Sequence, residues 1–314
     1  MKVVVSEFMD EAALQTLGPD VTVLYDPALV DDRKALLSAL FDADALIVRN
    51  RTLVDQDLLQ HAPNLRVVGR LGVGLDNIDM ACCAARNVVV RPATGANTLS
   101  VAEYVITATL ALLRGAYGSN TEMIAGNWPR NALIGGEASG RVMGLLGFGG
   151  IARAVAGRAR ALGMTIAAYD PYLPDEDPAW RDVRRCTIDD LLSVCDVLSL
   201  HVPLTDETRG LISRNALSRM KPGAIVINTA RGGVVDEEAL AQALKDGHLG
   251  GAALDVFEVE PLTAQAAARF ANLPNLILTP HIAGVTTEGN LRVSTATVEN
   301  VRQELYREPC DANT

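Results

Sequence analysis

The stretch VMGLLGFGGIA, residues 142–152, constrains this chain more than any other. Val142–Leu146 is an apolar run of strand length. Gly147, Gly149 and Ala152 follow in the spacing G-x-G-x-x-A, and a helix-forming run comes next. A strand that turns sharply into a helix uses the first small residue for the turn. The second lets backbone N–H groups approach a pyrophosphate, and the third packs the helix on the sheet. The helix N-terminus adds partial positive charge. A second apolar run, Thr165–Ala168, leads to Asp170, about 20 residues beyond the loop. A carboxylate there accepts hydrogen bonds from ribose hydroxyls and repels a 2′-phosphate. Pro171 and Tyr172 follow it, with no arginine at hand. Alone, the glycine spacing is a tight turn and Asp170 a loop acid. With strand, helix and acid in this order, they predict a dinucleotide site that takes NAD rather than NADP.

The rest of the chain fits that frame. Short apolar runs alternate with helical stretches: strands at Val3–Val5, Val21–Tyr25, Ala45–Val48, Val67–Gly69 and Val88–Val90, then a second series from Val142. Such βαβα order predicts α/β architecture, with parallel sheets covered by helices on both faces. Aromatics make up only 4% of 314 residues and hydrophobic residues 49%, so the cores must be Val, Ile, Leu and Ala. Between the series, Ser100 and Glu103 form an S-x-x-E capping box ahead of Val101–Leu113, which is apolar nearly all round. That predicts a buried helix at the domain junction and at a dimer surface. A last helix, about Glu288–Tyr306, should run back to the first domain. The expected division is a discontinuous substrate-binding domain, residues 1–98 with 288–314, and an NAD-binding domain, residues 99–287.

Three polar residues fall just past successive strands of the second series. Arg231 follows AIVINTA, Glu260 lies in ALDVFEVEP, and His281 ends LILTPH. Ligands of open parallel sheets gather outside the carboxyl ends of the strands. Hydride transfer between NAD and a hydroxy acid needs a cation for the carboxylate, which arginine binds with two parallel bonds. It needs a base for the hydroxyl proton, for which histidine suits neutral pH. A carboxylate beside that histidine fixes its tautomer. Singly, each residue also reads as an ordinary loop side chain; their shared position selects the catalytic reading.

INTARGGVVDEEAL, GAALDVFEVEP and LPNLILTPHIAG, with GRLGVGLDNID and VMGLLGFGGIARAVA, resemble the signature segments of the D-isomer-specific 2-hydroxyacid dehydrogenase family. The resemblance implies two Rossmann-like parallel-sheet domains with a cleft between them, a homodimer built on the long helix, Arg231 for the substrate carboxylate, His281 as acid/base and Glu260 as its partner. It also implies Gly150, Ile151, Val202, Thr229, Ala230 and Asp255 near the cofactor. Within the family, the chain looks like 3-phosphoglycerate dehydrogenases, whose phosphate-holding arginines match Arg49, Arg70 and Arg130, with Val73 and Gly74 beside the substrate. VSEFMDEAAL, LYDPALVDDR and VRNRT resemble the sulfolactate dehydrogenase branch. Sulfur on C3 outranks the carboxyl, so the spatial arrangement of D-lactate carries the label S in sulfolactate, and a D-type site suits it. The expected substrate is a small anionic D-configured 2-hydroxy or 2-keto acid, with a second anion on those arginines. A glyoxylate/hydroxypyruvate reductase or general D-hydroxyacid dehydrogenase stands as the alternative, and a non-catalytic NAD sensor as the rival from another class.

The formal net charge of −10 argues against nucleic acid and anionic membranes as partners. His61, His201, His248 and His281 have no metal-ligand spacing. The five cysteines, Cys82, Cys83, Cys186, Cys195 and Cys310, have no disulfide-framework spacing, and the chain opens on a strand rather than a signal peptide. Both point to the cytoplasm.

Overall fold

The computed structural model describes residues 1–307; Cys310 and the end of the expected 288–314 segment lie outside the described residues. The chain divides into two compact units. One is Met1–Asn97 with the described part of Val285–Thr314, and the other is Thr98–Gly284.

The first unit holds five parallel strands: β1 (Lys2–Val5), β2 (Thr22–Tyr25), β3 (Ala45–Val48), β4 (Val67–Arg70) and β5 (Val89–Pro92), in the order β2-β1-β3-β4-β5. β1 lies between β2 and β3, with Val3 opposite Ala45 and Val5 opposite Ile47. β3 and β4 are buried along their whole length, which is why they read as unbroken apolar runs rather than alternating ones. Asp32, Asp55 and Asp79 each cap a helix by accepting a backbone N–H three residues on. The helix Thr287–Leu305 packs its Val293, Val298, Val301 and Leu305 against Val3, Val5, Ile47 and Val67. It packs tightly over Gly69 of β4, where a Cβ would sit 2.5 Å from the Val301 side chain.

The second unit holds seven parallel strands: β6 (Val142–Leu146), β7 (Thr165–Tyr169), β8 (Arg184–Arg185), β9 (Val197–Leu200), β10 (Ala224–Asn228), β11 (Leu249–Leu254) and β12 (Leu276–Leu278). Their order is β12-β11-β10-β9-β6-β7-β8. The chain winds outward from β6 through β7 and β8, then returns to β9 and winds the other way. The loops after β6 and β9 therefore part at a topological switch point, where ligands of such sheets bind.

The long helix departs from expectation. It runs Thr98–Arg114, so Ser100 lies inside it, 4% exposed, and does not cap it. It is not buried all round either. Val101, Ala102, Val105, Ala108 and Leu112 pack against the helix Gly150–Ala161 and the central strands, while Leu99 and Leu110 face solvent. Its apolar sequence covers more than the face that the unit itself buries.

Candidate active site

β6 delivers the glycine loop at the switch point. Gly147 has φ +85°, and a Cβ there would stand 2.7 Å from the His201 carbonyl oxygen, so the turn admits only glycine. Gly149 precedes the helix Gly150–Ala161, and nothing lies within 4 Å of where a Cβ would project from Gly149 or Gly150. That open cradle, at a helix N-terminus, fits a diphosphate. Ala152 is fully buried and seats the helix on the sheet. Ile151 and Val202, both half-buried, flank the same loop ends. Asp170 accepts the Phe148 N–H (2.8 Å) on one oxygen and the Tyr172 N–H (2.9 Å) on the other. Each carboxylate oxygen has two lone pairs, so both can still accept from a ribose. The Thr229 hydroxyl oxygen is buried without a hydrogen-bond partner among the described residues, as suits a group that meets a ligand. These features fit NAD.

At the end of β10, Asn228 organises the turn. It is 1% exposed, receives the Ala230 N–H (3.0 Å) and donates to the Arg231 carbonyl (2.9 Å). The next residue, Gly232, presses on the loop after β11: a Cβ would fall 1.8 Å from the Phe257 carbonyl oxygen. The Arg231 and Glu260 loops are thereby packed backbone to backbone.

Glu260 receives the Phe257 N–H on Oε1 (3.0 Å), and its Oε2 lies 2.7 Å from Nδ1 of His281. Burial alone would push the Glu260 carboxyl up. The hydrogen bond and charge of His281, the Phe257 N–H and the charge of Arg231 together hold it below the ordinary carboxylate range. His281 sits at φ +56°, an unusual conformation for a non-glycine residue, and donates its backbone N–H to the Asp255 carbonyl (2.8 Å). Asp255, 1% exposed, fixes the rest of that loop. Its carboxylate receives the Thr279 hydroxyl (2.6 Å) and the N–H groups of Ile282 and Ala283 (both 2.8 Å). Thr279 in turn shares a hydrogen bond with Tyr104 (2.6 Å). Glu260 engages Nδ1 of His281, and Nε2 is the other ring nitrogen that could meet a substrate.

The other histidines do different things. His201 bonds Ser199 through Nε2 (3.0 Å), and burial pushes its imidazole down to about 4, so it stays neutral at working pH. His248 is half-buried, with Nε2 3.0 Å from the Leu217 carbonyl. Among the described residues, no group of three or more His, Cys, Asp or Glu side chains is set to hold a metal.

The arginines expected from sequence to hold a second anion fall in different surroundings. Arg49, just past β3, is half-buried. Arg70, ending β4, is 9% exposed, and its guanidinium occupies the space a Gly72 side chain would need, with Nη1 1.5 Å from that Cβ position. Val73 is exposed and Gly74 half-buried on the loop that follows. Arg51 pairs with Asp31 on the surface. Arg130 belongs to the second unit and is solvent-exposed. Asn228, Gly232 and the Asp255–Thr279–Tyr104 chain were not singled out from sequence as supports of this site. An asparagine closing an otherwise apolar strand is the one signal that pointed to any of them.

The family of D-isomer specific 2-hydroxyacid dehydrogenases, through its NAD binding domain, matches residues 106–283. The chain belongs to that family and is an NAD-dependent oxidoreductase with two Rossmann-like parallel-sheet units. It is 57% identical over 304 residues to the (S)-sulfolactate dehydrogenase of Chromohalobacter salexigens, covering 96% of this chain and 98% of that one. It is 40% identical over 308 residues to the D-3-phosphoglycerate dehydrogenase of Mycobacterium leprae, covering 98% of this chain but 57% of that protein. The crystal structure of D-lactate dehydrogenase from Aquifex aeolicus, complexed with NAD and lactic acid, superposes with TM-score 0.83 at 28% identity, covering 97% of this chain and 95% of that one.

Proposed function

We propose that the chain oxidises a D-configured 2-hydroxy acid carrying a second anion, with S-sulfolactate the best-supported substrate and 3-phosphoglycerate the next. NAD, when bound, takes up the hydride from C2. His281 receives the hydroxyl proton on Nε2, and Glu260, held ionised, stabilises the imidazolium that forms. Arg231 binds the C1 carboxylate with two parallel bonds. The reverse reduction uses the same groups with the proton returned. The 2.7 Å Glu260–His281 pair carries this reading. The likeness to the Chromohalobacter sulfolactate enzyme supports the second anion, which falls to Arg49 and Arg70. The first unit then serves as the substrate-binding domain, and Arg130, Val73 and Gly74 complete the substrate contacts.

A homodimer fits the apolar side chains exposed between residues 117 and 134: Tyr117 (74%), Ile124 (87%), Trp128 (76%) and Ile134 (78%). Cys82, Cys83, Cys186 and Cys195 are free thiols, which suits the cytoplasm. NADH oxidation with sulfopyruvate, phosphohydroxypyruvate, hydroxypyruvate, glyoxylate and pyruvate tests the substrate. A large kcat/KM advantage for a keto acid with a second anion supports the reading. Equal rates with glyoxylate or hydroxypyruvate would make the protein a general D-hydroxyacid dehydrogenase.

A further inference from the structure

We infer that Glu7 is a positioning residue for substrate specificity: its buried carboxylate fixes the loop that presents Arg49 to the substrate's second anion. The inference rests on the proposed second-anion reading.

The first unit has its own switch point. In the order β2-β1-β3-β4-β5, the chain leaves β1 in one direction and reaches β3 in the other. Ligands of open parallel sheets bind outside the strand ends at such a place. The residues just past those two strands are Ser6–Phe8 and Arg49–Thr52.

Glu7 is 4% exposed, yet among the described residues no cationic side chain is hydrogen-bonded to it. Four consecutive backbone N–H groups point at it instead. Oε1 accepts from Arg49 (2.8 Å) and Thr52 (2.9 Å), and Oε2 from Asn50 (3.3 Å) and Arg51 (3.2 Å). Successive N–H groups of this kind form an anion-binding nest. Here the chain fills its own nest, so the backbone of this loop is not left to capture the substrate anion. That task passes to the Arg49 side chain.

The loop is also held from its other side. Asn77, 9% exposed, donates to the carbonyls of Thr52 (2.7 Å) and Arg49 (3.4 Å), and Ser6 shares a hydrogen bond with Thr52 (2.9 Å). The Arg49 guanidinium is then aimed. Nη1 donates to the Phe8 carbonyl (3.0 Å) and to Oδ1 of Asn290 (3.1 Å), and the group stands 6.0 Å from the centre of the Phe8 ring. Nε and Nη2 have no acceptor among the described residues. They are the edge of a planar fork, suited to two oxygens of a sulfonate or phosphate. Burial lowers the Arg49 guanidinium from its ordinary value, and the nearby Glu7 charge opposes that.

Glutamine at position 7 would put an NH₂ group against N–H donors, turning acceptor sites into clashes. The test compares wild type, Glu7→Gln and Glu7→Asp with sulfopyruvate, phosphohydroxypyruvate and hydroxypyruvate, with NADH binding as the check on folding. The expected result is that Glu7→Gln lowers kcat/KM for the two doubly anionic substrates at least tenfold more than for hydroxypyruvate. The loss should lie in KM, and Glu7→Asp should recover part of it. If wild type prefers the doubly anionic substrates and Glu7→Gln keeps that preference, the Glu7 inference is overturned while the second-anion reading stands. If wild type shows no such preference, both fall. Should Glu7→Gln fail to bind NADH, Asn77→Ser, which frees the carbonyl side of the same loop, replaces it under the same criteria.

Discussion

His281 Nδ1 and Glu260 Oε2 lie 2.7 Å apart, although the two residues follow different strands, β12 and β11. Parallel neighbours bring the ends of both strands to one edge of the sheet, and the loops do the rest. Asp255 gathers three donors from residues 279–283, which sets the backbone of His281. The Phe257 N–H takes the other oxygen of Glu260. Each member of the pair is therefore oriented by backbone that its own strand holds in place.

Replacing Glu260 with glutamine removes the anion and leaves the shape. We expect kcat to fall about 100-fold, at the lower end of what a positioned acid/base contributes. The pH dependence follows from the sign of the shift. The Glu260 carboxyl is lower in the folded protein than its ordinary value of about 4.3. Its contribution to stability is fully present above that value and is lost as pH falls through the folded value. Thermal unfolding of wild type and Glu260→Gln should thus differ most near neutral pH and converge in acid. A constant gap across that range contradicts the assignment.

Gly232→Ala tests the packing between the Arg231 and Glu260 loops. The new methyl group meets the Phe257 carbonyl oxygen at 1.8 Å, and neither backbone segment is free to yield. Overpacking of this kind costs about 1–3 kcal/mol. Denaturant unfolding should show that loss together with reduced kcat/KM for the carboxylate substrate. Wild-type stability and turnover would mean the loops are not coupled.

Asp170→Ala removes the acceptor for the Phe148 and Tyr172 N–H groups and tests the proposed bond from Asp170 to a ribose. A hydrogen bond to a charged group contributes about 1.5–3 kcal/mol, so the KM for NAD should rise roughly tenfold or more. Without the carboxylate, the 2′-phosphate of NADP is no longer repelled, and the ratio of NADP to NAD activity should rise. Steady-state kinetics with both cofactors measure this, and an unchanged ratio would contradict the ribose role.

Much of this was legible in the chain because the chemistry is written locally. Gly147, Gly149 and Asp170 sit at fixed offsets from strands whose apolar runs are plain, and Arg231, Glu260 and His281 each follow such a run. The supports were harder to read. Glu7 and the loop after β3 are 42 residues apart at the nearest, and only the β1–β3 pairing makes them neighbours. The Ser100 capping box misled because the hydrophobic pattern of the long helix begins after its true start at Thr98. The same helix reads as fully buried because Leu99 and Leu110 are apolar, although the unit leaves them in solvent.

The measurement that tests the central claim most directly is NADH binding and turnover of His281→Gln, made side by side. The account predicts NADH affinity within a few-fold of wild type and turnover lower by about 10²–10⁴, the range for loss of a positioned acid/base. Turnover near the wild-type rate, with NADH still bound, would contradict it and remove His281 from the proton transfer.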